Sequence, residues 1–333
     1  VLDDARTGSE RWDPVQTAEN ANIAVRDRTT IAYLGDGPSG ATAISLPILN
    51  AAGIAQISPT SGYAGLTRAE GAQKGEPEKY YPSGIRSFAR TIPADHLQVR
   101  ALLALVEERG CRRLQLVDDG EIDGRGLSVG VEEGLTSAST EVVDRAVFRA
   151  DQELDPAKEA AEIVARTPDC VLVAGGPGER LARLLDALHA ADDDLTLLAS
   201  DGLATPETAE TLEPGTGRAL TLTAPGQNRS AKGRRIAEAY EETFGRPARD
   251  ASLYGYEAME LALAAIRTAG PRGNNREAVE RALFELGERE GPFGRYRLTP
   301  QGDASAGSYS RLTVRDGRLV PAPATGERVG ADG

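Results

Sequence analysis

Cysteine, histidine and methionine are almost missing from these 333 residues, at two, two and one copies. Two cysteines cannot build a disulfide framework, and two histidines cannot supply the several ligands of an ordinary zinc site, so most metalloenzyme chemistries fall away. No metal or cofactor is expected. No run approaches the ~18 apolar residues that a membrane-spanning helix needs. Positive charge is also short: 38 Lys and Arg face 51 Asp and Glu, a net charge of −13. Nucleic acid and anionic lipid both reward clustered cations, so neither is an expected partner. Only four of the basic residues are lysines (74, 79, 158 and 232), which reads as a composition bias of the source rather than as arginine chemistry. What remains is 40% hydrophobic and 27% charged, the balance of a water-soluble globular protein. At ~150 residues per domain its length suggests two domains.

The first residue is Val1 and the only methionine is Met259. The expectation is that a leading segment has been removed, and that any signal peptide or lipid-attachment cysteine went with it.

Short apolar runs alternate with helix-period segments along most of the chain. "TIAYLG", "ATAISLPILNAAG" and "IAQIS" read as strand, helix, strand. A second series follows "FARTIPADH", with strands at 111–119, 140–148, 170–176 and 195–202 separated by amphipathic helices. In "ERLARLLDALHAA" the residues Leu181, Leu184, Leu185 and Leu188 fall on one stripe. Nearly continuous apolar strands between such helices predict parallel sheets covered on both faces. Asp13-Pro14 and Asp155-Pro156 pair a helix N-cap with a first-turn proline, and Gly53 and Gly110 suit helix C-termini. The end of the chain alternates apolar and polar residues around Asp316-Gly317, which predicts antiparallel strands. Cys111 and Cys170 each start a strand. Neighbouring parallel strands seldom bring two side chains into bridging geometry, so both are expected to be free, buried thiols.

The motif "GDGPSG", Gly35 to Gly40, follows a strand, opens a helix and matches G-x-G-x-x-G. The next strand ends in Gln56, Ile57, Ser58 and Pro59, without the acid that would hold a ribose, and Ala41 replaces the lysine of a phosphate loop. Dinucleotide and triphosphate binding are therefore disfavoured, and Ala41 also breaks the nucleophile-elbow pattern around Ser39. The N–H groups and dipole of a helix N-terminus still offer a seat for a carboxylate, with Ser39 either adding a hydroxyl donor or acting as an ordinary N-cap. "SPTSG" closes the next strand and brings Thr60, Ser61 and Gly62 to the carboxyl edge of the sheet, where ligands of open α/β sheets bind. In the second series Asp201 follows an apolar strand, where it can pair with a ligand cation or cap the next helix. Asp123, in a Gly-flanked loop, carries the same two readings. No Cys–His, Ser–His–Asp or paired-carboxylate constellation stands out, so no enzyme is expected.

"VLDDARTGSERWDPVQTAENAN", "IAYLGDGPSGATAISLPILNAAGIAQISPTSGYAGLT", "FARTIPADHLQ", "LVDDGEIDGRGL" and "GPFGRYRLTPQGD", in that order, resemble the leucine/isoleucine/valine-binding family. These are type I periplasmic-binding-protein folds that serve as substrate-binding components of ABC importers. The resemblance implies two Rossmann-like parallel-sheet lobes joined by three crossovers, with ligand held in the cleft. The crossovers would fall near 91–94, 224–226 and 303–308. Lobe one would be 1–92 plus 225–304, lobe two 93–224 plus 305–321, and 322–333 a disordered tail. The family's first strand and helix precede a "VLDD" strand and are not found here, which implies a chain less stable than one carrying them.

The resemblance further implies that Ser39 and Thr60 to Gly62 engage the carboxylate and ammonium of an amino acid, while Asp201 pairs with the ammonium. Gly62 stands where a hydroxyl residue is usual, and Asp123 and Pro177 stand where tyrosines often close the pocket. An acidic Asp123 would favour a more polar or cationic solute. The implied role is extracytoplasmic capture of an amino-acid-like solute by a monomer that presents it to an ABC permease. A ligand-sensing domain of a receptor or regulator would carry the same residues.

Overall fold

A computed structural model describes residues 2–5, 11–70, 72–135, 139–226 and 228–323. The chain divides into two compact units, Val1–Asp95 with Gly226–Ser308, and His96–Pro225 with Tyr309–Gly333. The tail expected to be disordered lies, from residue 324 onward, outside the described residues, as do 136–138 at the end of a sequence-predicted helix.

The first unit opens with α1 (Pro14–Arg26), capped by Asp13, whose carboxylate accepts from the N–H groups of Val15 and Gln16. Then come β1 (Ala32–Leu34), α2 (Ser39–Ala51), β2 (Ala55–Ser58) and β3 (Phe88–Arg90). The three strands form a parallel sheet in the order β1-β2-β3. Among the described residues the expected "VLDD" strand does not form: Leu2 to Asp4 have no ladder, and an isolated bridge joins Ala5 to Trp12. Backbone groups there are satisfied otherwise, with Asn20 Nδ2 donating to Asp3 O and Asp13 N to Asp4 O.

α3 (Asp95–Glu108) starts at the division and leads into the second unit. Its parallel strands are β4 (Arg113–Asp118), β5 (Glu141–Val147), β6 (Cys170–Ala174), β7 (Thr196–Ala199) and β8 (Leu220–Pro225). They alternate with α4 (Ile122–Gly134), α5 (Pro156–Val164), α6 (Glu179–Ala191) and two short helices, α7 (Pro206–Thr211) and α8 (Pro214–Ala219). Leu181, Leu184, Leu185 and Leu188 of α6 pack into the core of this unit with Val171, Val173 and Leu197. The amphipathic stripe read from the sequence is thus the buried face.

The chain returns to the first unit with α9 (Ala231–Phe244), α10 (Asp250–Ala269), α11 (Arg276–Phe284) and the antiparallel pair β9 (Arg289–Gly291) and β10 (Gly294–Tyr296). It ends in the second unit with β11 (Tyr309–Arg315) and β12 (Arg318–Pro321), a hairpin turning at Asp316 and Gly317, both with positive φ. β11 pairs antiparallel with β8, completing the order β12-β11-β8-β7-β6-β4-β5.

The cysteines depart from expectation: Cys111 and Cys170 form a disulfide with Cα atoms 5.7 Å apart. Cys170 is paired in register with Leu114, not with Cys111. Cys111 lies ahead of β4 in the turn leaving α3, so the ladder geometry that keeps parallel-strand side chains apart does not apply to it. The bridge spans 59 residues of sequence, and constraining that loop in the unfolded chain contributes ~4 kcal/mol. Replacing both cysteines by serine is expected to cost a large part of that stability in urea melts, and reductant is expected to affect the parent but not the double variant.

Glu280 of α11 is buried, and burial together with the neighbouring charge of Glu277 raises its pKa to about 7 against the pull of Arg281. Such a group supports the fold fully below its unfolded value near 4.5, and that support is lost as pH rises through about 7. Glu280→Gln is therefore expected to melt with the parent near pH 4.5 and above it at pH 8, by up to about 3 kcal/mol. Thermal melts at the two pH values check the sign.

Candidate functional site

The first unit presents its loops at the carboxyl ends of β1 and β2. After β1 comes Gly35, at φ +134°, then Asp36, Gly37 and Pro38. Pro38 occupies the N-cap position of α2, so Ser39 is the first helical residue and not the cap; no side chain caps this end. Ser39 is buried, and its Oγ accepts a hydrogen bond from Tyr63 N at 3.1 Å. Trp12 lies across the same turn: a Cβ on Gly40 would stand 2.6 Å from its Cζ2.

Hydroxyl groups lace the two loops together. Ser58 Oγ donates to Asp36 O at 2.6 Å, Thr60 Oγ1 to Gly37 O at 2.9 Å, and Ser61 Oγ to the Asp36 and Gly37 carbonyls at 3.1 Å. Ser58 Oγ in turn accepts from the N–H groups of Thr60 and Ser61. Those two amides, in the loop that the resemblance assigns to a ligand's carboxylate and ammonium, are thus already engaged. The Asp36 side chain is buried among Tyr33, Ser45 and Gln56, accepting from the Tyr33 hydroxyl at 3.0 Å and from Ser45 Oγ. Desolvation pushes its carboxyl above the usual range, opposed by the Ser45 and Tyr33 hydrogen bonds.

Arg90, fully buried at the end of β3, supports the 61–63 loop from beneath. Its Nη1 donates to the carbonyls of Ser61 and Tyr63 at 2.8 and 3.0 Å, and Nη2 to Thr67 Oγ1. Its charge is paired with Asp303, Nε to Oδ1 at 3.0 Å, and Arg68 reaches the other oxygen at 2.8 Å. Burial would raise the Asp303 carboxyl, but Arg90 and the hydrogen bonds from Arg68 and Thr67 outweigh it and hold the group below the usual range. Gly62 has no room for a side chain: a Cβ would overlap Asp95 Oδ1 and stand 3.0 Å from Asp95 Cγ. Asp95 N donates to Gly62 O at 2.9 Å, which fixes the approach.

The second unit has its own carboxyl edge. Asp119 follows β4 and ties it to β6, accepting from Gly176 N at 2.7 Å and Glu121 N at 3.0 Å. Asp123 sits in the first turn of α4, half-buried. Asp201 follows β7 and opens a short 3-10 turn, Asp201–Leu203. Desolvation raises its carboxyl, against stabilising hydrogen bonds from Gln98 and from the N–H groups of Asp201 and Gly202. Gly202 is obligatory, because a Cβ there would overlap the Gly175 carbonyl oxygen. Asp118 is buried, its Oδ1 accepts from Gly120 N at 2.9 Å, and desolvation raises it too, opposed by the Gly120 hydrogen bond and by Arg145 at 3.9 Å.

The structure thus gathers Ser39, Thr60, Ser61 and Gly62 at one edge of the first unit, and Asp123 and Asp201 at one edge of the second. The sequence reading passed over Asp36, Arg90 and Asp95. Asp36 stood inside the motif examined for nucleotide binding, and Arg90 and Asp95 stood inside "FARTIPADH", where only the segment's order was used.

The family model described as a periplasmic binding protein matches residues 10–317. No match was found among the curated proteins. Among solved structures, the leucine-binding protein LivK of Thermotoga maritima is 21% identical, with a TM-score of 0.77 over 93% of this chain and 83% of that one. The branched-chain amino acid transporter substrate-binding protein LivJ of Streptococcus pneumoniae, in complex with isoleucine, is 18% identical, with a TM-score of 0.73 over 92% and 82%. A solute-binding protein of an ABC transporter from R. palustris, in complex with benzoate, is 19% identical, with a TM-score of 0.76 over 94% and 84%. These likenesses agree with the α/β fold described above. Because the family model covers nearly the whole chain, the chain belongs to the periplasmic binding protein family, whose members bind solutes outside the cytoplasm and do not transform them.

Proposed function

We propose that this chain captures an amino acid or related small polar solute and presents it to an ABC permease. The observation that carries the reading is the placement of Ser39 and the 60–62 loop on the carboxyl edge of one unit, and of Asp201 and Asp123 on that of the other. Open α/β sheets bind ligands at such edges. A ligand carboxylate sits at the uncapped N-terminus of α2, where the helix dipole and first-turn amides favour an anion and Ser39 adds its hydroxyl. Thr60, Ser61 and Gly62 shape the seat, and Asp201, with Asp123 on the same edge of its unit, takes the ammonium. The names of similar structures support the solute class, since leucine, isoleucine and benzoate are ligands of those proteins. The Cys111–Cys170 bridge supports an oxidising, extracytoplasmic compartment.

Calorimetry against a panel of amino acids tests the reading. A charge-assisted hydrogen bond contributes ~1.5–3 kcal/mol, so Asp201→Ala is expected to weaken binding by roughly one to two orders of magnitude. Ser39→Ala is expected to cost less, because the helix amides remain. A parent that binds no small polar solute, or an Asp201→Ala variant as tight as the parent, would overturn the assignment.

A further inference from the structure

In the core-facing stripe of α3 a polar residue stands where a leucine would fit. Gln98, Leu102 and Leu105 fall at i, i+4 and i+7, and all three are fully buried. Leu102 and Leu105 pack with Leu114 and Leu198 in the core of the second unit. An amide in that stripe carries a desolvation cost that a leucine would not, so its hydrogen bonds have to offset it.

Those bonds lead to the candidate site. Gln98 Nε2 donates to Thr223 Oγ1 of β8 at 2.9 Å, and the Gln98 side chain also hydrogen-bonds the Asp201 carboxylate beyond β7. Leu222 of β8 is in register with Ala199 of β7, so Thr223 and the turn at Asp201 leave the same end of adjacent strands. Thr223 Oγ1 turns its own hydrogen to Ala199 O at 3.5 Å, which leaves its lone pairs for the amide. An ionised carboxylate only accepts, so the Gln98 NH2 group faces Asp201 and Thr223. Its Oε1 is turned aside, buried and with no hydrogen-bond partner among the described residues. The side chain is thus arranged to donate, at the expense of its own acceptor.

Asp201 has use for such a donor. It is half-buried, desolvation raises its carboxyl, and the groups opposing that rise are neutral: Gln98 and the N–H groups of Asp201 and Gly202. Around it α3 brings Gln98, β8 brings Thr223, and the loop after β6 brings Gly175 and Gly176, with the acid Asp119 tied to Gly176 N and Glu121 N.

We propose that Gln98 is a positioning residue for ligand binding: its amide, held by Thr223, orients the Asp201 carboxylate and keeps it ready to receive the ligand's ammonium group. This inference rests on the solute-binding reading and deepens it by one residue. Hydrogen bonding to the ionised form lowers a carboxyl's pKa, so removing the amide raises that of Asp201. The loss of binding is then largest at low pH and shrinks as pH rises.

The test is a calorimetric double-mutant cycle of Gln98→Met and Asp201→Ala at about pH 5 and about pH 8, with L-leucine, L-isoleucine, L-lysine and L-glutamate as probes. Methionine keeps the unbranched side chain and helix preference of glutamine and removes the amide. The readout is the ratio of variant to parent affinity at each pH, in which the titration of other groups cancels. Gln98→Met is expected to weaken the tightest probe about tenfold at the lower pH and less at the higher, and to change nothing further once Asp201 is replaced. A side chain that only fills the core would weaken binding equally at both pH values and in both backgrounds. Thr223→Val keeps the β-branched shape and removes the hydroxyl that holds Nε2. It is expected to give the same pH signature at smaller size, and it carries the test if Gln98→Met does not fold. If Asp201→Ala weakens binding but Gln98→Met is as tight as the parent, or weakens it alike at both pH values, the inference is overturned and the solute-binding reading stands. A parent that binds none of the four probes, or an Asp201→Ala variant as tight as the parent, overturns both.

Discussion

The buried ion pair between Arg90 and Asp303 is the contact on which the candidate site in the first unit depends. An unpaired guanidinium in that position would carry several kcal/mol of desolvation cost, and Asp303 offsets it at 3.0 Å. The pair joins the end of β3 to a segment more than two hundred residues later in the chain. That segment also lies directly on the strand: Arg90 N donates to Gly302 O, and a Cβ on Gly302 would overlap the carbonyl oxygen of Phe88. With its charge satisfied from below, the guanidinium directs its remaining donors upward at the carbonyls of Ser61 and Tyr63 and at Thr67. Removing either partner would leave a buried charge behind and release the loop at once.

From that fixed loop the rest follows by hydrogen-bond matching. Ser58 turns its oxygen toward two amides and its hydrogen toward Asp36 O, and Thr60 and Ser61 bond to the backbone before α2. Ser39 closes the circuit by accepting from Tyr63 N. Hydroxyl residues in these positions are first of all the means by which two strand-end loops hold one another at fixed spacing. What they position is an uncapped helix end on one side and a glycine gap filled by a carboxylate on the other. The second unit reaches the same rigidity with backbone approach and a carboxylate tie, since Gly202 and Gly175 meet without side chains and Asp119 bridges β4 to β6.

The parallel-sheet units were legible in the sequence because each strand is continuously apolar and each helix carries one apolar stripe; Leu181 to Leu188 is the plainest instance. The caps at Asp13 and Asp155 and the turn at Asp316-Gly317 were legible for the same reason, being set by residues within one or two positions of each other. What escaped was non-local. The disulfide depends on Cys111 standing outside the ladder that Cys170 joins, a matter of where β4 starts. The filling of the Gly62 gap depends on a residue 33 positions away, and no spacing rule links a glycine after one strand to an acid at the start of a helix. Ser39 was placed on the right turn, but its neighbour Pro38 takes the cap position because its extended backbone suits it.

The buried acids at the two edges share one energetic condition. Asp36, Asp118 and Asp201 are all pushed upward by desolvation, so each is harder to ionise in the folded chain than in the unfolded one, and the stability it contributes is lost as pH rises through its folded pKa. Asp303, buried as Asp36 and Asp118 are, is held down because arginine accompanies it. The contrast separates two uses of a carboxylate in one protein: one paired within the fold, where it stabilises, and others left at strand ends with hydrogen bonds but weak or no cationic partners. Acids of the second kind persist where another function requires them, since a fold selected for stability alone would pair or neutralise them.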